Sequence, residues 1–172
     1  FFYYQRSSVP INGVLIVENK DTFFSIKKLL NEGVSIWSGI PISLLIYGEG
    51  NKITKSIHFI EEIGVGEEVP IYYYGDLDPE GIAIYYRTKE RTSRKISPFV
   101  PLYKELWEYK RTNKKWDNQS WNSTAINDFF SFFDDQWTDE VSNFLHQKGC
   151  VPQEALSIET MRGMAYGIVK SV

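Results

Sequence analysis

Cysteine is nearly absent: Cys150 stands alone in 172 residues, so no disulfide framework can form within the chain. A reducing cytoplasm is the natural setting for such a sequence. Histidine is almost as scarce, and His58 and His146 are spaced neither from each other nor from Cys150 as zinc ligands are. No apolar run is long enough to span a bilayer; the longest candidate, residues 36–47, is broken by Ser38-Gly39 and Pro41. A signal-peptide pattern, a P-loop and a G-x-G-x-x-G fingerprint are all missing, which disfavours secreted and nucleotide-binding classes. There is no internal repeat and no low-complexity tract. What remains is a globular composition rich in aromatics, of a length that buries a sizeable core in one domain. The chain opens on Phe1-Phe2-Tyr3-Tyr4 without an initiator methionine, as expected of a domain excised from a longer protein.

Strand and helix patterns alternate through the first hundred residues. Residues 13–18 (Gly-Val-Leu-Ile-Val-Glu) form a continuous β-rich run of the kind buried on both faces of a sheet. Asn19 or Asp21 can cap a helix that runs to about Asn31. Residues 43–47 read as a second strand, and a helix follows the Gly48–Asn51 turn and continues to about Glu62. Residues 71–74 are a third strand, residues 79–90 a third helix, and residues 95–100 a fourth strand. Such alternation predicts a parallel sheet with right-handed crossovers. Beyond Pro101 only helices are expected: residues 101–111, 123–133 and 139–147, and a last one from Pro152 towards Val169, with a polar loop over 112–122. The chain thus divides into an α/β core over residues 11–100 and a helical extension over 101–172. The aromatic cluster of Trp116, Trp121, Phe129, Phe130, Phe132, Phe133 and Trp137 reads as core or subunit contact rather than as a base-stacking platform.

The chemistry concentrates in Tyr74-Gly75-Asp76-Leu77-Asp78-Pro79-Glu80-Gly81. Two aspartates follow the third strand, at the end where open α/β sheets place their ligands. With one residue between them on extended backbone, Asp76 and Asp78 point to the same side. Carboxylates aimed at one point repel unless a cation lies between them, and hard oxygen donors suit Mg²⁺ or Mn²⁺. Pro79 fits the first turn of the following helix. The plainer alternative is an acidic turn capping a helix. Glu18, at the end of the first strand, would share the same edge of a parallel sheet despite lying 58 residues upstream. Alone it reads as a solvent-facing strand end; with the two aspartates it completes a candidate trio for one or two divalent ions.

Charge is also partitioned. Residues 87–115 hold ten Lys/Arg against three acids, a local charge of +7 in a chain whose net charge is −3. A basic block just downstream of the acids suggests a path for a phosphate backbone, with Arg87, Arg91, Arg94 and Lys95 as its candidate contacts. The competing explanation is a solvated helix face with i,i+4 ion pairs such as Lys104–Glu108.

Glu18 after an apolar strand, followed by Asn19-Lys20-Asp21-Thr22-Phe23 and then by Gly-Asp-Leu-Asp-Pro-Glu-Gly, resembles the Toprim domain of topoisomerases, primases and several nucleases. Its Gly-Asp-x-Asp-Pro-x-Gly form is similar to the topoisomerase VI A branch. Together with Val151-Pro152-Gln153-Glu154-Ala155-Leu156 it resembles the C-terminal domain of Wadjet JetD, the nuclease subunit of a bacterial anti-plasmid system. The resemblance spans residues 14–156 and implies a Rossmann-like Toprim sheet flanked by helices. It implies Glu18, Asp76 and Asp78 as Mg²⁺ (or Mn²⁺) ligands and catalytic groups, with Gln153 and Glu154 close by. It further implies double-stranded DNA and SMC-type complex subunits as partners, a homodimer by analogy with topoisomerase VI A, and hydrolysis by metal-activated water, because the tyrosine-bearing winged-helix domain is missing. Two rival functions follow from the same pattern: a Toprim-like scaffold that binds DNA or a partner without chemistry, and a receiver-like signalling domain. The latter needs a lone phospho-accepting Asp after the third strand and fits the D-x-D-P-x-G form less well.

Overall fold

The computed structural model describes residues 1–6, 9–111 and 114–165. Seven strands are described: β1 (Phe2–Gln5), β2 (Val14–Val17), β3 (Ile36–Trp37), β4 (Ile40–Pro41), β5 (Leu44–Tyr47), β6 (Ile71–Tyr74) and β7 (Ile96–Pro98). Five of them make one sheet in the order β1-β5-β2-β6-β7, and β3 and β4 form a separate small hairpin around Ser38-Gly39. Strands β5, β2, β6 and β7 are mutually parallel. All four residues of β2 are buried, as a central strand covered on both faces requires.

The sheet is mixed rather than wholly parallel as the alternation predicts. Strand β1 pairs antiparallel with β5, from Phe2 opposite Tyr47 to Gln5 opposite Leu44. Its side chains are mostly exposed, so it lacks the continuous apolar run that marks the inner strands.

The α-helices are α1 (Lys20–Asn31), α2 (Ile53–Ser56), α3 (Pro79–Glu90), α4 (Val100–Trp107), α5 (Ser123–Phe130), α6 (Asp135–His146) and α7 (Ile158–Ala165). The helix expected up to Glu62 is broken: one turn of α-helix, α2, lies between 3₁₀ turns at Gly50–Lys52 and Ile57–Glu61. Thr54 and Ser56 bond back to the Asn51 and Lys52 carbonyls, and the β-branched Ile53, Thr54 and Ile57 add little helix propensity. The last expected helix is also split. A 3₁₀ turn over Gln153–Ala155 ends at an extended Leu156, and the chain restarts as α7 with the Ser157 hydroxyl accepting from the Thr160 amide. The expected end near Val169 lies outside the described residues.

Most of the aromatic cluster is packing, with Phe132 left exposed. Tyr73, Tyr85, Tyr103 and Phe129 are fully buried, and Phe133 stacks on Trp137 with ring centroids 4.0 Å apart. Helices α3 and α5 are joined through Asp128, which accepts from Tyr85 Oη at 2.6 Å and pairs with Lys89 at 2.8 Å. Truncating Phe129 would cost about 3–5 kcal/mol by the usual penalty for an aromatic removed from a core.

Candidate functional site

After the edge strand β1, the chain lays down β2, moves to β5 on one side, then crosses to β6 on the other. The carboxyl ends of β2 and β6 therefore flank the topological switch point, where open α/β sheets hold their ligands. Val17 stands opposite Tyr74, and the Glu18 amide extends that ladder by donating to the Tyr74 carbonyl at 3.2 Å. Glu18 and Gly75 thus leave the sheet side by side.

Glu18 Oε2 accepts from the Asp76 amide at 3.3 Å, and Tyr73 Oη lies 3.4 Å from the same oxygen. A Cβ on Gly75 would meet Glu18 Oε2 at 2.4 Å, so the missing side chain is what lets the carboxylate sit there. The Gly75 amide donates to Tyr103 Oη at 2.8 Å, which fixes the turn against the core. Asp76 Oδ1 accepts from the Gln153 amide at 2.8 Å. Leu77, fully buried, exchanges both backbone hydrogen bonds with Val151 at 2.9 and 3.1 Å. Asp78 caps α3: its Oδ1 accepts from the Gly81 amide at 2.7 Å and its Oδ2 from Gln119 Nε2 at 3.3 Å. A Cβ on Gly81 would lie 2.2 Å from the Asp76 carbonyl oxygen, so the second glycine of the motif permits the close approach of helix and loop.

The three acids feel one another. Burial, then the charges of Asp76 and Asp78, push the Glu18 carboxyl up to about 8, against hydrogen bonds that work the other way. Asp76 is raised to about 6, by burial first and by Asp78 and Glu154 after it; the Gln153 amide opposes the rise. Asp78 is raised by burial, with the Gly81 amide opposing. Even so, no group of three or more His, Cys, Asp or Glu side chains among the described residues is arranged to hold a metal ion. The donor chemistry fits Mg²⁺ in a narrower way. That ion takes one or two carboxylates and fills its remaining positions with water and substrate phosphate. Asp76 acts most strongly on Glu18 and in turn feels Asp78, while Asp78 also acts on Glu18 directly.

Gln153 has no solvent exposure, its backbone carbonyl accepts from Tyr74 Oη at 3.1 Å, and its Oε1 accepts from the Asn19 amide at 3.2 Å. Its Nε2 has no hydrogen-bond partner among the described residues. Glu154 is exposed, with Oε2 3.5 Å from Asn19 Nδ2. Nothing in the sequence marks Gln119, Tyr73 and Tyr103 as neighbours of the acids or of the loop that carries them. Gln119 lies in a polar loop 41 residues beyond Asp78 with no local signal, and the tyrosines read as plain core.

The basic candidates lie elsewhere. Helix α3 starts at the acids and runs 12 residues, about 18 Å, towards the opposite edge. Arg91, Arg94 and Lys95 follow its end and precede β7, so they sit at the amino edge of the sheet. Arg94 does not face solvent: its side chain is 6% exposed and donates to Glu61 and to the carbonyls of Val65 and Gly66. It is a structural tether, and the expectation that it follows DNA is corrected on that ground. Only Arg87 turns back towards the acids, pairing with Glu80 at 2.9 Å and Asn51 at 3.0 Å.

A family model described as Wadjet protein JetD, C-terminal, matches residues 3–165. The chain belongs to that family. A search of curated proteins finds no match. The JetD membership agrees with the α/β sheet, its flanking helices and the acids at the switch point. No described helix is long and apolar enough to cross a membrane.

Proposed function

We propose that this JetD-family chain is a Toprim-type module that cleaves plasmid DNA with Mg²⁺ or Mn²⁺. The observation that carries the reading is the burial of Glu18, Asp76 and Asp78 together at the switch point, where burial first and then the charges of Asp76 and Asp78 raise the Glu18 carboxyl. Groups perturbed by burial together with specific charge partners are candidates for functional sites. Asp76 with Glu18 or Asp78 would hold the ion. A bound divalent ion supplies charge stabilisation at the phosphoryl group and activation of an attacking water. Asp78 also anchors the start of α3, and Glu18, protonated more readily than an ordinary carboxyl, is the group suited to hold or pass a proton. Gln153 positions Asp76 through its backbone amide. In this reading residues 11–100 are the metal-handling core and 101–172 the helical extension. The partners are double-stranded DNA and the subunits of an SMC-type complex, in a homodimeric full-length protein of the cytoplasm.

A second reading has its own support. The acids do not form a three-ligand group as they stand, and each accepts a backbone amide. Those two facts favour a Toprim-like scaffold that binds DNA or a partner without cutting. Plasmid nicking separates the two. Cleavage that requires Mg²⁺ or Mn²⁺, and that falls to background in Asp78→Ala with the fold retained, supports the nuclease. No cleavage by the chain within its complex, or wild-type cleavage by Asp78→Ala, supports the scaffold.

A further inference from the structure

The basic segment has a second end, and that end lies beside the acids. A pocket of about 390 Å³ is lined by Arg111, Lys114, Cys150, Val151, Pro152 and Glu154, among others. Its wall is the stretch that clamps the Asp-x-Asp loop: Val151 is bridged to Leu77, and the Gln153 amide holds Asp76. The positive charge of Lys114 acts on Asp76, and the charges of Asp78, Lys114 and Asp76 are all felt at Cys150. Pocket and acids are therefore neighbours across a single extended segment.

The cations of this segment divide sharply. Arg87, Lys89, Arg94 and Lys104 each have a carboxylate partner, Lys110 lies over the Trp107 ring, and Lys115 donates to the Gln147 carbonyl. Arg91 and Lys95 at the amino edge, and Arg111 and Lys114 beside the pocket, are exposed and make no ion pair among the described residues, and only the second pair lies near the acids. Glu154, also lining the pocket, is turned to Asn19. Two free cations beside mutually repelling acids form a site for an anion that approaches those acids without being one of them. An Arg and a Lys together suit a phosphate, the first by its planar fork of donors and the second as a point charge.

We propose that Arg111 and Lys114 hold a backbone phosphate of the DNA strand whose neighbouring phosphate meets Glu18, Asp76 and Asp78. The proposal rests on the DNA reading above. It moves the strand's path from the amino edge of the sheet to the loop between α4 and α5. The test is binding of a short fluorescent duplex in EDTA, measured by anisotropy over a range of salt. Replacing both residues (Arg111→Gln with Lys114→Gln) should flatten the slope of log affinity against log salt by roughly 1.8, at about 0.9 for each phosphate contact. The loss should be equal for unrelated sequences, because phosphate contacts carry no base information. The charge-preserving pair Arg111→Lys with Lys114→Arg should keep the wild-type slope, and so should Arg91→Gln with Lys95→Gln. An unchanged slope in the first variant, an equal flattening in the Arg91/Lys95 variant, or a wild-type chain that does not bind duplex DNA would overturn the proposal. A flattened slope in a protein that nicks no plasmid would leave the phosphate pocket standing and overturn the nuclease alone.

Discussion

At the carboxyl edge of the sheet, Glu18 and Asp76 resist ionisation because burial opposes it first and neighbouring carboxylates second: Asp76 and Asp78 act on Glu18, and Asp78 and Glu154 act on Asp76. At the amino edge, Arg94 is already matched, folded inward onto Glu61 and two backbone carbonyls. One edge keeps like charges together and the other closes opposite charges. Uncompensated repulsion lowers stability, so its persistence at the switch point is expected where a cation or a phosphate is to arrive. Arg94 and Glu61 hold the 3₁₀ turn before β6 to the end of α3.

The comparison breaks first on pH. A carboxyl whose folded value lies above its unfolded one stabilises the fold below the unfolded value, and that contribution is lost as pH rises through the folded one. For Glu18 the window runs from 4.5 to about 8, and the shift sets a ceiling of roughly 5 kcal/mol. Urea unfolding of the metal-free chain should thus show stability falling across that window. In Glu18→Gln the fall above pH 6 should vanish, leaving the part that Asp76 contributes at lower pH. A slope that persists to pH 8 in the variant would mean that the repulsion is not centred on Glu18.

A smaller effect tests the other edge. Arg94→Met keeps the buried stem but removes donors from the Val65 and Gly66 carbonyls. It should cost about 1–3 kcal/mol of stability while the salt dependence of DNA binding stays unchanged. A wild-type stability together with a flattened salt slope would return Arg94 to the DNA path.

How far the sequence discloses this depends on the range of the interaction involved. The inner strands were legible because apolar runs such as 14–17 and 71–74 carry their burial in their composition. The cap of α1 was legible from Asn19, whose side chain accepts from the Asp21 and Thr22 amides. Strand β1 was not, since half-exposed aromatics at a sheet edge have no pattern of their own. The acids were found because a strand end and a D-x-D are local features. Their clamp through Val151 and Gln153, and the Gln119 contact, join residues 41 to 77 apart and left no mark on spacing. The basic block's division into two ends was not legible for the same reason. Its residues are contiguous in sequence, but α3 carries Arg91, Arg94 and Lys95 to the far edge and the loop after α4 brings Arg111 and Lys114 back.

The central claim is that Asp76 and its neighbours take up a divalent ion, and Mn²⁺ titration calorimetry near pH 7 in buffers of different ionisation enthalpy tests it most directly. Because the Glu18 carboxyl is raised to about 8, ion binding should displace about one proton per Mn²⁺. Asp76→Ala should lose both the binding and the proton release while its unfolding transition remains cooperative. Absence of Mn²⁺ binding by the wild-type chain, or equal binding with equal proton release in Asp76→Ala, would contradict the claim.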